Sequence, residues 1–194
     1  LQQTNGQRSQ VTQTQQVVAF TQHKAQLLML DAGSQAKADE VLTSLVKVVD
    51  GLALSLISTQ TAPATAMAEW LASREAPQGF SVDRECELKA ADESKAVVRY
   101  ARHPLDNEEV RQHVQGGKLP TRLALTWNDR VSFVLTEALQ IKKIAFLDVV
   151  FEGASTGKND GFDTDATIAT GELRKLIPAL LAALGGEVVA QPAA

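Results

Sequence analysis

The stretch from Thr121 to Leu147 limits the possible folds of this chain more than any other. Leu123, Leu125 and Trp127 alternate with Arg122, Ala124 and Thr126, the period-two pattern of a strand with one apolar face. Asn128-Asp129 follows as a tight-turn signal, and Val131–Leu135 and Ile141–Leu147 read as two further strands. Three strands joined this closely form an antiparallel meander, because a parallel pair needs a long crossover between its strands.

The remaining segments place helices around that meander. Val17–Phe20 and Leu27–Leu30 read as a β-hairpin across Thr21–Gln26. Ser34 is an N-cap for Gln35–Val49, where Ala38, Val41, Leu42, Leu45, Val48 and Val49 recur at helical spacing, and Asp50-Gly51 ends that helix. Leu52–Ile57 reads as a buried strand, and a short helix after Pro63 carries Met67, Trp70 and Leu71. Val82–Leu88 is ambiguous and Ala96–His103 reads as a strand. Asp106 stands as the cap of a helix over 107–115, with Glu109 at the capping-box position and Gly116-Gly117 as its stop. Ala166–Ala169 reads as one more strand before a C-terminal helix from Gly171 to Leu184, stopped by Gly185-Gly186. Antiparallel strands in hairpins and meanders packed with separate helices define an α+β fold. The expected organisation is a flexible Gln-rich segment over 1–15, a hairpin-helix-strand-helix part over 16–77, an α+β part over 78–187, and a frayed tail over 188–194, with Pro77-Gln78-Gly79 as the boundary.

Composition excludes several classes. Hydrophobic residues make up 44% and charged residues 22%, ordinary for a globular protein and far from collagen-like or disulfide-rich chains. Cys86 is the single cysteine, so no internal disulfide forms, and the expected compartment is the reducing cytoplasm. Apolar runs such as Ile177–Leu184 fall far short of the roughly 20 residues of a membrane helix. The net charge of -4 conceals a basic middle: residues 97–143 carry eight basic and five acidic residues, whereas both flanks are net acidic. That block is where a nucleic-acid surface could be built, and an ordinary solvated sheet face has the same pattern.

Chemistry-bearing motifs are few. Gly153-Ala154-Ser155-Thr156-Gly157-Lys158-Asn159 imitates a phosphate-binding loop, yet three residues rather than four separate its glycines, and Asn159 stands where a hydroxyl must reach magnesium. Asp160, Asp163, Asp165 and Glu172 could hold a hard metal for phosphodiester cleavage, or simply be a solvated loop leading to a helix N-terminus. His23, His103 and His113 are scattered, without zinc-ligand spacing, and Cys86 has no positioned histidine to make it a nucleophile. Trp70 and Trp127 lie in apolar surroundings as core anchors. From the residues alone the chain reads as a protein without catalytic residues, metal or cofactor.

Alternation along Ala96–His103 sets Arg99, Ala101 and His103 on one face and Tyr100 and Arg102 on the other. Lys118 precedes the Thr121 strand, and Lys142-Lys143 opens the third strand of the meander. Strands sharing one sheet could line these cations along a surface that contacts phosphates without reading sequence.

Ordered landmarks then point to a family. Ala68-Glu69-Trp70-Leu71, Gln78-Gly79-Phe80, Glu87-Leu88-Lys89 and Gly117-Lys118 come first. Thr121–Trp127, Arg130–Val134, Phe162–Asp165, Thr170–Leu173 and Leu184–Glu187 complete the set. Together they resemble the recombination-associated protein RdgC family from Gln16 to Glu187, the C-terminal two-thirds of a member. The resemblance implies a ring-shaped homodimer with a positively charged hole, binding single- and double-stranded DNA with little sequence preference. It also implies restraint of RecA-driven recombination and replication, at the nucleoid. The implied DNA-binding residues are Arg99, Arg102, His103, Lys118 and Arg122, with Lys142 and Lys143 added from their charge. The family has also been described as an exonuclease, which keeps the acidic residues as an alternative; a dimerisation fragment without DNA binding is a third. The family's N-terminal region has no counterpart here, and the Gln-rich start replaces a segment that is usually charged, with Thr14 about where the family carries an aromatic.

Overall fold

The computed structural model describes residues 18–22, 27–152 and 161–188, with backbone alone for 18–22 and 161–164. The expected flexible segment over 1–15, Thr14, His23, the Gly153–Asn159 motif, Asp160 and the tail from 189 lie outside the described residues. The chain divides into two compact units, one up to Ser55 and one from Leu56.

In the first unit, β1 (Val18–Gln22) and β2 (Leu27–Asp31) pair antiparallel, as the two apolar runs predict. Helix α1 (Gln35–Val48) starts at Ser34, whose Oγ accepts the Lys37 N–H, and Gly51 follows its end at φ 72°. No α1 residue is buried.

The expected strand over Leu52–Ile57 does not form. Apolar content does not make a strand unless another strand pairs with its backbone N–H and C=O groups. The nearest ladder contact is the isolated bridge Thr59–Glu187, and Leu56 is 87% exposed.

The second unit is a five-stranded antiparallel sheet with helices on one face. Its strands are β3 (Phe80–Ala90), β4 (Val97–Ala101), β5 (Lys118–Trp127), β6 (Val131–Thr136) and β7 (Ile141–Phe146), in the spatial order β4-β3-β5-β6-β7. The α+β class read from the pattern is the class observed. Asn128 and Asp129 both take left-handed φ (48° and 53°), the angles of a type I′ turn, and the Arg130 N–H donates to Trp127 O at 2.9 Å to close it.

Helix α2 (Pro63–Ser73) begins with proline at its first position, where the missing N–H has no partner to lose. It packs against β5, β6 and helix α3 (Glu108–Gln115). The segment Pro77–Gly79 lies within this unit, leading from α2 into β3. Met67, Trp70 and Leu71 join Cys86, Leu88, Leu123, Leu125, Trp127, Phe133 and Leu135 in one buried cluster. A 3-10 turn (Asp148–Val150) follows β7, and α4 (Gly161–Ala183) adds Leu176 and Leu180 to the cluster, with Leu184 just beyond its end.

Two helix starts differ from expectation. The cap of α3 is Asn107, not Asp106: Asn107 Oδ1 accepts the Val110 N–H at 2.9 Å. Glu109 is therefore not the far side of a capping box; it accepts the Tyr100 hydroxyl at 3.0 Å. No strand forms over Ala166–Ala169, because α4 runs through it from Gly161, ten residues before the expected start at Gly171. Local propensity penalises a mid-helix glycine by only about 1 kcal/mol, which the packing of Leu173, Leu176 and Leu180 on the core outweighs.

Candidate nucleic-acid interface

The sheet face turned away from the core cluster carries most of the cations singled out from sequence. Residues directly opposite one another across an antiparallel ladder point to the same side. Arg99 on β4 lies opposite Glu87 on β3, Glu87 lies opposite Arg122 on β5, and Arg122 lies opposite Thr136 on β6. This row therefore runs arginine, glutamate, arginine, threonine across four strands, on the opposite side from Cys86, Leu88 and Leu123.

Two β-bulges decide which side chains join that row. Between β3 and β5 the register shifts so that Glu87 opposes Arg122 while Leu88 opposes Pro120, leaving Thr121 as the extra residue. A one-residue shift exchanges faces. Lys118 consequently falls on the helix side, opposite Ala90, with its Nζ 3.2 Å from His113 Nδ1 on α3. Simple alternation from Arg122 would have put Lys118 beside it. The bulge residue has its own task, since Thr121 Oγ1 donates to Glu87 Oε1 at 2.7 Å.

The second bulge lies on β7. Lys142 opposes Val134 and Ala145 opposes Ser132, so β7 carries one extra residue there, and Lys143 takes φ 51°. Neighbouring lysines on a regular strand would point to opposite faces. Here Lys142 shares the side of Val134, and Lys143 Nζ reaches Glu85 Oε1 on β3.

The turn after β4 separates Arg102 from His103. Strand β4 ends at Ala101 and Arg102 has φ 58°, so alternation stops there. Arg102 lines a shallow depression with Asp83, Arg84, Glu85 and Ala124 on the open face. The His103 N–H donates to Arg84 O, and its ring packs on Tyr100 with centroids 5.8 Å apart. His103 Nδ1 sits 2.8 Å from Pro104 O, and Asn107 Nδ2 donates to the same oxygen at 2.7 Å. Tyr100 belongs to the core cluster, so His103 leaves the cation face and Arg102 joins it, the reverse of the alternating assignment.

The structure thus brings together Arg99, Arg102, Arg122, Lys142 and Lys143 and sets His103 and Lys118 apart. Two cations that sequence reading passed over, Arg84 and Lys89, share the open face. Lys89 follows the buried Leu88 and opposes Val97 and Leu119. Alternation beside buried Leu88 was the signal for Lys89; Arg84 alternates in step with Cys86 and Leu88, and it lines the open-face depression only because the register breaks between Val82 and Cys86. Three carboxylates face the same way. Asp83 Oδ2 accepts Thr126 Oγ1 at 2.8 Å, Glu85 takes Lys143, and Glu87 takes Arg99 Nε at 2.6 Å. The Thr121 hydroxyl, and after it Arg99, hold the Glu87 carboxyl below the usual glutamate range against the opposing effect of its partial burial. Among the described residues, the seven cations named here outnumber the three carboxylates and leave the face positive, and no aromatic side chain is among those named on it.

The acidic residues proposed for metal binding do not converge. Glu172 is buried on α4, where Arg130 donates to both carboxylate oxygens (Nε at 2.7 Å, Nη2 at 2.9 Å) and Lys175 adds a third contact. These partners, Arg130 first, depress its carboxyl below the ordinary range. Asp165 is exposed two turns earlier, the Asp163 side chain and Asp160 lie outside the described residues, and no group of three metal-binding side chains occurs among the described ones. Cys86 is buried, and that burial pushes its thiol up to about 12, so it is a core residue and not a nucleophile. Among the described residues no helix is long and apolar enough to cross a membrane.

Comparison with known proteins places this geometry. The family described as "Putative exonuclease, RdgC" matches residues 10–187. The chain belongs to the RdgC family. It is 47% identical over 197 residues to the recombination-associated protein RdgC of Dechloromonas aromatica, covering 94% of this chain and 65% of that protein. It is 53% identical over 164 residues to the RdgC of Janthinobacterium sp. (strain Marseille), covering 83% and 55%, and 50% identical over 163 residues to that of Bordetella pertussis, covering 82% and 54%. The chain therefore spans between about half and two thirds of the length of these RdgC relatives, whose name ties the family to recombination.

Proposed function

We propose that this RdgC-family chain binds DNA through the open face of its sheet, by phosphate contacts and without sequence readout. The observation that carries this reading is the gathering of Arg99, Arg102, Arg122, Lys142 and Lys143, with Arg84 and Lys89, on one side of β3–β7. Cations aimed at phosphates supply affinity that every sequence shares. With no aromatic among the described residues named on the face, nothing there stacks on bases, so single and double strands engage it by charge. At the level of the whole protein the proposal is a homodimer, associated with the cytoplasmic nucleoid, that modulates RecA-dependent recombination by occupying DNA.

The test is a fluorescence-anisotropy titration of labelled duplex at several salt concentrations, with a parallel gel for cleavage in magnesium. Salt-sensitive binding with an intact duplex supports the reading. Binding that ignores salt overturns it. Magnesium-dependent cleavage would instead favour the nuclease in the family's description, and a chain that dimerises without taking up DNA would be a dimerisation fragment.

A further inference from the structure

The open face does not offer all its cations to solvent. Glu87 sits between Arg99 and Arg122 in the cross-strand row, bound to Arg99 Nε at 2.6 Å and held by the Thr121 hydroxyl at 2.7 Å. Its side chain is only 13% exposed, and the bulge at Thr121 supplies the hydroxyl that fixes it. Glu85 holds Lys143 in the same way, joining β3 to β7 across the two strands between them. An anionic oxygen group between two arginines, also accepting a threonine hydroxyl, is the arrangement in which a phosphate would be bound. Here the protein's own carboxylate fills it.

We infer that Glu85 and Glu87 are resident competitors for phosphate, carboxylates that occupy two of the face's cations and set how tightly, and at what salt, the face takes up a polyanion. This rests on the DNA-binding reading above and deepens it. A phosphate arriving at the face must displace each carboxylate from its cation, so those two positions release few counterions on binding. Arg84, Lys89, Arg102, Arg122 and Lys142 form no ion pair among the described residues and carry the binding.

Glu87→Gln and Glu85→Gln test the inference, because glutamine keeps the shape and still accepts the Thr121 hydroxyl while surrendering the charge. Glu75→Gln, at the exposed end of α2, controls for the same change in net charge away from the face. The readout is anisotropy of a fluorescein-labelled duplex across a salt series. Each freed cation should steepen the plot of log affinity against log salt by about 0.9, widening the gap from the unsubstituted chain about 3.5-fold between 200 and 50 mM. Glu75→Gln should leave the slope unchanged. If the unsubstituted chain binds and the face variants match it in slope and affinity, the inference is wrong and the DNA-binding reading survives. Silence from the unsubstituted chain with binding by the double variant would support the competition and limit the reading to an unmasked face. Silence from both would overturn the two together. Should Glu87→Gln fail to fold, the more exposed Glu85 carries the test alone.

Discussion

Replacing Arg122 by alanine removes a guanidinium from the open face, whereas replacing Lys118 by alanine removes an ammonium from the helix side of the same strand. The two stand four positions apart, and the bulge at Thr121 is the reason they do not share a surface. For one chain on one duplex, the five cations without carboxylate partners give an expected slope of about -4.5 in log affinity against log salt, at about 0.9 per phosphate. Between 50 and 200 mM that is a loss of roughly 500-fold. If Arg99 and Lys143 were equally available, the slope would be about -6.3 and the loss about 6,000-fold. Arg122→Ala should bring the slope down to about -3.6, so its deficit relative to the unsubstituted chain shrinks about 3.5-fold as salt rises over that range. Lys118→Ala should leave slope and affinity where they were. The assay is the duplex titration at four or more salt concentrations, with far-ultraviolet circular dichroism to confirm that both variants fold. Equal losses from Lys118→Ala and Arg122→Ala would refute the assignment of opposite faces, and with it the placing of the interface on the open side.

Four further predictions concern the scaffold. Gly171 lies inside α4 with nothing within 4 Å of an added Cβ, so Gly171→Ala should stabilise the fold by about 0.5–1 kcal/mol in urea unfolding. Gly79→Ala should do the opposite by at least about 1 kcal/mol, because Gly79 has φ 82° and its Cβ would meet Asn128 Oδ1 at 3.0 Å. The Glu172 carboxyl is held below its unfolded value, chiefly by Arg130, so its stabilising contribution is complete above the usual glutamate pKa of about 4.3 and is lost as pH falls through the lower folded value. Urea midpoints taken from pH 7 down to pH 3 should fall more steeply for the unsubstituted chain than for Glu172→Gln, and parallel curves would rule the pair out as a source of acid sensitivity. The Cys86 thiol, raised to about 12 by burial, should resist a disulfide-exchange reagent at pH 8 until denaturant is added; rapid labelling of the native protein would contradict its place in the core.

The meander, the tight turn at Asn128-Asp129, the α+β class and much of the core were legible in the sequence, because each rests on local information. Alternation along Thr121–Trp127 set Leu123, Leu125 and Trp127 on one apolar face, and all three are buried. Helix ends marked by Ser34, Pro63, Gly116-Gly117 and Gly185-Gly186 were equally local. What failed locally was pairing. Leu52–Ile57 has strand composition without a neighbouring strand to bond, and 166–169 is carried into α4 by contacts further along the helix.

The sequence by itself also determined that a surplus of basic residues falls between 97 and 143. Only the tertiary structure decided which of them share a surface. Period-two alternation identifies a face only while the ladder stays in register, and this sheet loses register on both sides of β5–β6. The bulge at Thr121 sends Lys118 to the helices, the left-handed turn at Arg102 brings that arginine to the open face and takes His103 away, and the bulge on β7 lets Lys143 reach Glu85. Glu87 gave no sign in sequence that it stands between two arginines, because its partners lie 12 and 35 positions away and meet it only across paired strands.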